Sequence, residues 1–229
     1  MDVDQLRQRV GEIRERIHRL GGVGVQIVAV TKSWDAEAMI GAYVAGCDGV
    51  GENYAQELIR KVALVNPAQR LPIHFIGQIQ SNKVKLLIDI VDVWQSVDRA
   101  SVVDELIKRS ALRVKAQSSS IMLQVNTTGE PSKAGCDPTD VPKLLARART
   151  GGLLVSGLMT IGPTNGDVDR TRRAFGLLSD LADESGLVER SMGMSGDFEI
   201  AVEQGATLVR VGTALFGQRP SRLTPDEIK

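Results

Sequence analysis

The residue of this chain best suited to covalent chemistry is Lys32. It ends the apolar, strand-like run QIVAVTK over residues 26–32. Burial at the end of a strand disfavours the ammonium form and lowers the pKa of a lysine from about 10.4. A neutral amine can attack an aldehyde and form a Schiff base. The alternative is a lysine that extends its charged head into solvent, and Lys32 taken alone favours this structural role.

Two segments rich in small residues, near the carboxyl end of the chain, offer a site for an anion. In Gly193–Asp197, Ser195 is expected to cap a helix, and the N–H groups of residues 195–197 are expected to face a phosphate. The segment Arg210–Thr213 adds a glycine and a hydroxyl. Each segment could be an ordinary strand-to-helix turn, but together they favour phosphate. Asp197 and Glu199 would repel a phosphate, so we expect them to cap a helix and to face solvent.

Arg210 is the strongest candidate for contact with the ring of a ligand. It lies two residues before Gly212, so both residues face the same side of a strand. A guanidinium keeps its proton, so a pyridine nitrogen opposite it would stay unprotonated. The alternative is a structural ion pair with a carboxylate such as Glu52, and both roles are compatible.

Other polar residues follow predicted strands and leave two interpretations open. Asn53 could bind a ring hydroxyl or orient the Lys32 amine, and His74 could be a hydrogen-bonded core histidine or a catalytic base. Lys83 could cap a helix or bind an anion. The segment Ser132–Gly135 is either a flexible loop or a lid that faces the substrate.

The elements that must position these residues alternate regularly along the chain. Eight apolar runs are predicted strands: Gln26–Lys32, Gly49–Asn53, Pro72–Gly77, Val93–Val97, Ser119–Val125, Val155–Thr160, Arg190–Met194 and Thr207–Gly212. Seven periodic or alanine-rich stretches are predicted helices: 36–45, 55–65, 83–91, 100–111, 138–148, 168–184 and 197–204. The strands are continuous apolar runs, as expected for parallel strands covered on both faces. Residues 4–20 form a further amphipathic helix.

This pattern predicts an α/β fold, a single (β/α)8 TIM barrel with an extra N-terminal helix. The alternative is an open doubly wound sheet. The barrel is preferred because there are eight strand candidates and because the polar, glycine-rich segments follow the strands, where barrel active sites are built. We expect one domain over residues 1–229, with a short polar tail from about residue 219.

Composition limits the other classes of function. The 28 basic residues balance the 28 acidic ones, so no net charge attracts nucleic acid or an anionic membrane. No apolar run approaches the roughly 20 residues of a membrane span, and the acidic start does not resemble a signal peptide. With Cys47, Cys136 and two histidines in the chain, we expect neither a disulfide framework nor a metal site. The chain is expected to be cytoplasmic.

Seven segments resemble the pyridoxal phosphate homeostasis proteins, the YggS/PROSC-type family, whose barrel is similar to the N-terminal domain of bacterial alanine racemase. They run through nearly the whole chain in family order, and together they are highly specific. The segments are AVTK (29–32), GENYAQE (51–57), HFIGQIQSNK (74–83), SKAG (132–135), GLMT (157–160), SMGMSGD (191–197) and VRVGTALFG (209–217).

The resemblance implies that the chain binds pyridoxal 5'-phosphate (PLP) as a covalent aldimine on Lys32. It implies that the phosphate is held by Ser195, Gly196, Gly212 and Thr213. It also implies that Arg210 faces the pyridine nitrogen and that the pocket includes Asn53, His74 and Met192. No residue is assigned a catalytic role.

Three functions follow as hypotheses, and the first is preferred. The chain stores, buffers or delivers PLP inside the cell, with PLP-dependent apoenzymes as possible recipients. The alternative is a PLP-dependent racemase-type enzyme, which needs an acid/base on each face of the substrate. In alanine racemase a second domain and a partner chain supply one of these groups, and this sequence has no counterpart of that domain, so we expect a non-catalytic monomer. A third hypothesis is a barrel that binds another phosphate metabolite noncovalently.

Overall fold

Eight parallel strands pair in chain order, and the eighth strand closes on the first. The computed structural model describes residues 2–113 and 119–218, and the polar tail predicted from about residue 219 lies outside this part. The strands are β1 (Gln26–Val30), β2 (Gly49–Glu52), β3 (Ile73–Phe75), β4 (Val93–Val97), β5 (Ser120–Gln124), β6 (Leu154–Met159), β7 (Glu189–Ser191) and β8 (Leu208–Val211). The predicted TIM barrel is therefore confirmed, and the open sheet is wrong.

Helices cover the outside of the barrel. They are α1 (Val3–Arg19), α2 (Ala36–Val44), α3 (Ala55–Val62), α4 (Ser81–Leu87), α5 (Ala100–Ser110), α6 (Val141–Thr150), α7 (Val168–Glu184), α8 (Phe198–Glu203) and α9 (Thr213–Phe216). The predicted N-terminal helix is α1, which buries its apolar stripe against the outside of the barrel. Among these described helices, none is long and apolar enough to cross a membrane.

Alternation along the strands separates two cores. In β1, Ile27 and Ala29 belong to the large core under the helices, whereas Val28 belongs to a small cluster inside the barrel. That cluster also contains Met122, Met159 and Leu208. Residues of one parity on each strand therefore face the barrel interior, as the pleat requires.

Several strands are shorter than predicted at their carboxyl ends. The predicted strand Arg190–Met194 ends at Ser191 in the structure. Gly193 has φ +90°, and a Cβ there would lie 2.5 Å from the Ala201 Cβ and 2.9 Å from the Phe198 Cα. Only glycine fits this sharp approach of the loop to α8, so the extended chain stops before it.

Candidate functional site

Lys32 stands where β1 leaves the barrel. Beyond Val30 the Thr31 N–H still donates to the Gly51 carbonyl at 3.1 Å, so the chain stays extended up to Lys32. The period of two that puts Val28 and Val30 on the interior side predicts the same side for Lys32, which begins the turn after the strand. Lys32 is half-buried, and the chain turns directly afterwards at Ser33, which has φ +67°.

The end of β8 adjoins this point. A Cβ on Gly212 would lie 3.4 Å from the Cβ of Val30, so Gly212 faces the barrel beside β1. The expectation that Arg210 and Gly212 share the interior face is confirmed, because Arg210 is also buried and is in register with Val28. The structure thus brings the Gly212 loop next to the turn that carries Lys32.

The two small-residue segments meet through one hydroxyl. The Ser195 Oγ accepts from the Gly212 N–H at 3.3 Å and from the Ala214 N–H at 3.1 Å. Ser195 therefore caps the short helix α9, and the prediction that it caps the helix after its own segment is wrong. That helix, α8, begins at Phe198.

Backbone N–H groups near this hydroxyl differ from the predicted set. The Asp197 N–H donates to the Met194 carbonyl at 3.1 Å, so it is already used. Within residues 2–113 and 119–218, the N–H groups of Ser195, Gly196 and Thr213 have no acceptor. Three N–H donors from the two loops remain to meet an anion.

The two acidic residues of this region behave differently. Glu199 is exposed and binds Arg16 at 2.9 Å, as expected for a solvent-facing side chain. Asp197 is half-buried, and its carboxylate accepts from the Met194 N–H at 2.6 Å. Burial raises the pKa of Asp197, an effect that the Met194 N–H and the charge of Arg210 oppose. The expectation that Asp197 faces solvent is wrong, because its loop folds the side chain back.

Arg210 is the buried start of a line of hydrogen bonds across the barrel. Its Nη1 donates to the Ser191 Oγ at 2.6 Å, and its Nη2 donates to the Thr160 carbonyl at 2.7 Å. The Ser191 hydroxyl in turn donates to the Gln95 Oε1 at 2.7 Å. Burial lowers the pKa of Arg210 to about 10, and the charge of Asp197 opposes this shift. The guanidinium is therefore charged at neutral pH.

His74 ends the same line. Because Gln95 accepts from Ser191 with Oε1, its Nε2 faces the His74 Nδ1 at 2.7 Å and donates to it. The proton of the neutral ring is then on Nε2. Burial lowers the pKa of His74 to about 4. His74 is thus a hydrogen-bonded core histidine, and at neutral pH its ring is not the imidazolium form that acts as a general acid.

Glu52 does not pair with Arg210, contrary to the alternative raised from the sequence. Glu52 is on the helix-facing side of β2, and its Oε1 accepts from the Lys61 Nζ at 2.7 Å and from the Thr31 Oγ1 at 2.6 Å. Burial raises the pKa of Glu52, an effect that the charge of Lys61 opposes. The structural ion pair exists, but with a different cation.

Asn53 and Met192, both expected in the pocket, lie in different surroundings. Asn53 is half-buried, and its Oδ1 is a buried acceptor that has no donor among the described residues. Its backbone packs so closely on the loop after β3 that a Cβ at Gly77 would lie 2.2 Å from the Asn53 carbonyl oxygen. Met192 follows the inward-facing Ser191, and its fully buried side chain packs in the helix-facing core. The structure does not bring the Met192 side chain to Lys32.

Two further segments of the sequence analysis lie beside the barrel end. Lys83 lines a cavity of about 340 Å³ under the loops after β2 and β3, with Phe75 and Trp94 at its base. This cavity is on the helix-facing side, away from Arg210. In the segment Ser132–Gly135, Lys133 donates to the Gly162 carbonyl, which ties this loop to the loop after β6. Burial lowers the pKa of Lys133.

Comparison with known proteins decides the family. The sequence profile of the family described as "Alanine racemase, N-terminal domain" matches residues 1–220. A pyridoxal phosphate homeostasis protein of Pseudomonas aeruginosa is 40% identical over 200 residues, which cover 85% of this chain and 85% of the relative. The chain belongs to the pyridoxal phosphate homeostasis protein family.

Solved structures agree with this assignment to the homeostasis family. PipY of Synechococcus elongatus, solved with PLP bound, is 32% identical and superimposes with a TM-score of 0.80 over 93% of this chain and 100% of PipY. Alanine racemase of Clostridium difficile is 17% identical, with a TM-score of 0.75 over 98% of this chain and 59% of the racemase. This second likeness shows the barrel fold alone.

For a member of the homeostasis family, the residues that the sequence analysis missed are those that hold the site rather than line it. Gln95 and Ser191 connect Arg210 to His74, and Lys61 contacts the turn at Lys32. Ser191 opens the SMGMSGD segment (191–197) that carries the family resemblance, so its place in that segment was a usable signal. No sequence signal distinguished Lys61 from the other helical lysines.

Proposed function

We propose that this chain binds PLP and takes part in PLP homeostasis, by storing, buffering or delivering the cofactor. The observation that carries the proposal is the meeting of three features at one end of the barrel. These are the half-buried Lys32, the N–H groups of Ser195, Gly196 and Thr213, which have no acceptor among the described residues, and the buried guanidinium of Arg210. Relatives that bear the homeostasis name and the PLP-bound PipY structure support it.

The residues present fit the chemical groups of PLP. When bound, PLP supplies an aldehyde, a phosphate and an aromatic ring that carries a hydroxyl and a pyridine nitrogen. The N–H groups of Ser195, Gly196 and Thr213, with the Gly212 loop, would hold the phosphate. The Asn53 Oδ1, a buried acceptor without a donor among the described residues, would accept a hydrogen bond from the ring hydroxyl. Arg210 would face the pyridine nitrogen and leave it unprotonated.

Lys32 is the residue that would hold PLP covalently. Its amine nitrogen would attack the aldehyde carbon, and the resulting C=N bond of the Schiff base forms with loss of one water. Hydrolysis with water reverses the reaction and frees both partners. A reversible bond of this kind suits a carrier, which must release what it binds.

We propose that this function is non-catalytic. His74 is uncharged at neutral pH, because its pKa is about 4, and its Nδ1 already accepts from Gln95, which argues against a role as the acid or the base of a racemase. Relatives named for homeostasis support the same interpretation. We extend the proposal to a cytoplasmic monomer with one barrel domain, in which the backbone of Met192, rather than its side chain, adjoins the pocket. PLP-dependent apoenzymes are the recipients we propose.

The test is an absorption spectrum of the protein mixed with PLP, before and after borohydride reduction, with the modified residue mapped. We expect an imine band, a reduced adduct on Lys32, and loss of both in Lys32→Ala. Lys143→Ala, a change on the exposed face of α6, is the matched control and should behave as wild type. PLP binding that survives Lys32→Ala unchanged would favour a noncovalent phosphate metabolite. Steady racemisation of an amino acid would favour the enzyme.

A further inference from the structure

Three charged side chains form a buried cluster beside the Lys32 turn. Lys61 is 4% exposed and Glu52 is fully buried. The Lys61 Nζ donates to the Glu52 Oε1 at 2.7 Å and to the Glu57 Oε1 at 2.6 Å. Glu57 and Lys61 are four residues apart on α3, so they share a face of that helix, and Glu52 comes from the end of β2.

The contacts of this cluster reach the main chain on both sides of Lys32. Before it, the Lys61 Nζ donates to the Thr31 carbonyl at 2.8 Å, and the Thr31 hydroxyl donates to Glu52 at 2.6 Å. After it, the Ser33 N–H donates to the Glu57 Oε1 at 2.6 Å. The peptide groups that flank Lys32 are therefore fixed by two elements, β2 and α3.

The backbone at Ser33, directly after Lys32, is strained. Ser33 has φ +67°, the only positive φ of a non-glycine residue in the described chain. The left-handed conformation is unfavourable for a residue with a Cβ. Such a conformation persists only where its surroundings hold it, and here the hydrogen bond from the Ser33 N–H to Glu57 does so.

Stability alone is a poor reason for this cluster. A buried ion pair gains little over apolar residues of the same size, because both charges lose their hydration. Glu52 even keeps one buried oxygen, Oε2, without a donor among the described residues. What the cluster does supply is a fixed exit of the chain from β1.

We propose that Lys61, Glu52 and Glu57 are positioning residues that hold the Lys32 amine at the aldehyde of bound PLP. The proposal rests on the function proposed above and names no new contact with the cofactor. Glu52 has the parity of the helix-facing core, so these residues act through the backbone of Thr31 and Ser33. Fixing an amine near an aldehyde raises its effective concentration, and displacement by about 1 Å can cost 100-fold in rate.

The proposal separates two ligands. Pyridoxal phosphate has the aldehyde that Lys32 attacks, whereas pyridoxine 5'-phosphate has an alcohol there and forms no Schiff base. Loss of the cluster should slow Schiff-base formation with the first by at least about tenfold. It should leave the affinity for the second within about twofold, because the loops around Ser195 and Gly212 are untouched.

The variants are Glu57→Ala, Glu57→Gln and Lys61→Met, each measured with both ligands by stopped-flow absorbance and by equilibrium binding. Glutamine keeps an oxygen that can accept from the Ser33 N–H but loses the charge, so Glu57→Gln should slow Schiff-base formation less than Glu57→Ala does. Glu105→Ala is the matched control, because Glu105 forms a similar pair with Arg109 on α5, four residues apart at 2.6 Å. Glu105→Ala should change neither the rate of Schiff-base formation with pyridoxal phosphate nor the affinity for pyridoxine 5'-phosphate.

The outcomes are distinct. Equal losses for both ligands would mean that the cluster only supports the fold, and unchanged Schiff-base rates in folded Glu57→Ala and Lys61→Met would also overturn the proposal. A wild-type protein that forms no reducible adduct on Lys32 would overturn the proposed function itself.

Discussion

Two buried polar networks support opposite sides of the candidate site, and they differ in charge and in what they hold. The Glu52–Lys61–Glu57 cluster is ionic, lies between the sheet and α3, and bonds to the backbone around Lys32. The interior line runs from Arg210 to His74 and contains one charged group, because Ser191 and Gln95 are neutral and His74 is unprotonated.

The difference follows from what must be fixed. A loop peptide can move as a whole, so holding it takes strong, charge-assisted bonds at both ends. A guanidinium inside a barrel is already confined by packing, so a neutral line is enough to set its direction. A second charge inside the barrel would cost much more than a polar neutral group. The ionic network thus anchors the main chain, and the neutral one orients a side chain.

The largest expected effect is on the ionic network. Lys61→Met removes the cation and leaves the buried Glu52 with the Thr31 hydroxyl but no positive charge beside it, which should lower the free energy of unfolding by about 3–5 kcal/mol. Urea unfolding followed by circular dichroism measures it. The double variant Lys61→Met with Glu52→Gln should lose less than Lys61→Met alone, because the fully buried charge is gone and only the half-buried Glu57 is left without its cation. A double variant less stable than Lys61→Met would contradict the ionic interpretation.

The neutral network should make the free energy of unfolding depend on pH through His74. His74 has a folded pKa of about 4, below its ordinary value. Between about pH 4 and 6.5 the His74 side chain is protonated in the unfolded chain and neutral in the folded one. The free energy of unfolding therefore rises with pH over this range, and acidification destabilises the fold. The full shift corresponds to roughly 3 kcal/mol.

The measurement is the slope of the unfolding free energy against pH over that range. His74→Gln should flatten the slope relative to wild type. His18→Gln, which changes the exposed histidine of α1, should leave it unchanged. Equal slopes in all three proteins would show that His74 is protonated in the folded barrel, and the line would then carry two charges.

A smaller effect is expected at the middle of the line. Gln95→Met keeps the size of the side chain but removes the donor to His74 and the acceptor of Ser191. Leaving these buried groups unpaired should cost about 1–3 kcal/mol. Thermal and urea unfolding measure it, with the exposed Gln8→Met on α1 as control. A neutral result would mean that the interior line contributes no more than packing.

Much of the barrel was predictable because two local rules act on it. Continuous apolar runs predict all eight strands, and the period of two places Arg210 and Gly212 on one face. Applied to β7, the same rule places the Met192 side chain on the helix-facing side, because Ser191 directly before it faces inward. The strand ends were less certain, since the loop at Gly193 is set by its close packing on α8.

The supporting networks were not predictable for a physical reason. Lys61 and Glu57 form an ordinary pair four residues apart on a helix, a spacing that usually marks a solvated surface. Only the fold shows that Glu52 from another element meets them and that the cluster is buried. Gln95 likewise sits in an apolar run, and its partners come from the neighbouring strand β3 and from β7 across the barrel. Such convergence depends on tertiary structure, which local patterns do not contain.

The smallest predicted effect returns to the strained peptide that the ionic network holds. Ser33→Gly removes a left-handed strain of about 1 kcal/mol, but glycine gives back roughly 0.5–1 kcal/mol through the freedom of the unfolded chain. The single variant should therefore change the free energy of unfolding by less than about 1 kcal/mol. The informative quantity is its coupling to Glu57→Ala in a double-mutant cycle measured by urea unfolding. With glycine the turn no longer depends on Glu57, so Glu57→Ala should cost less beside Ser33→Gly than in the wild type. Strict additivity would show that Glu57 stabilises α3 on its own and that the ionic network does not hold the turn, which would erase the contrast between the two networks.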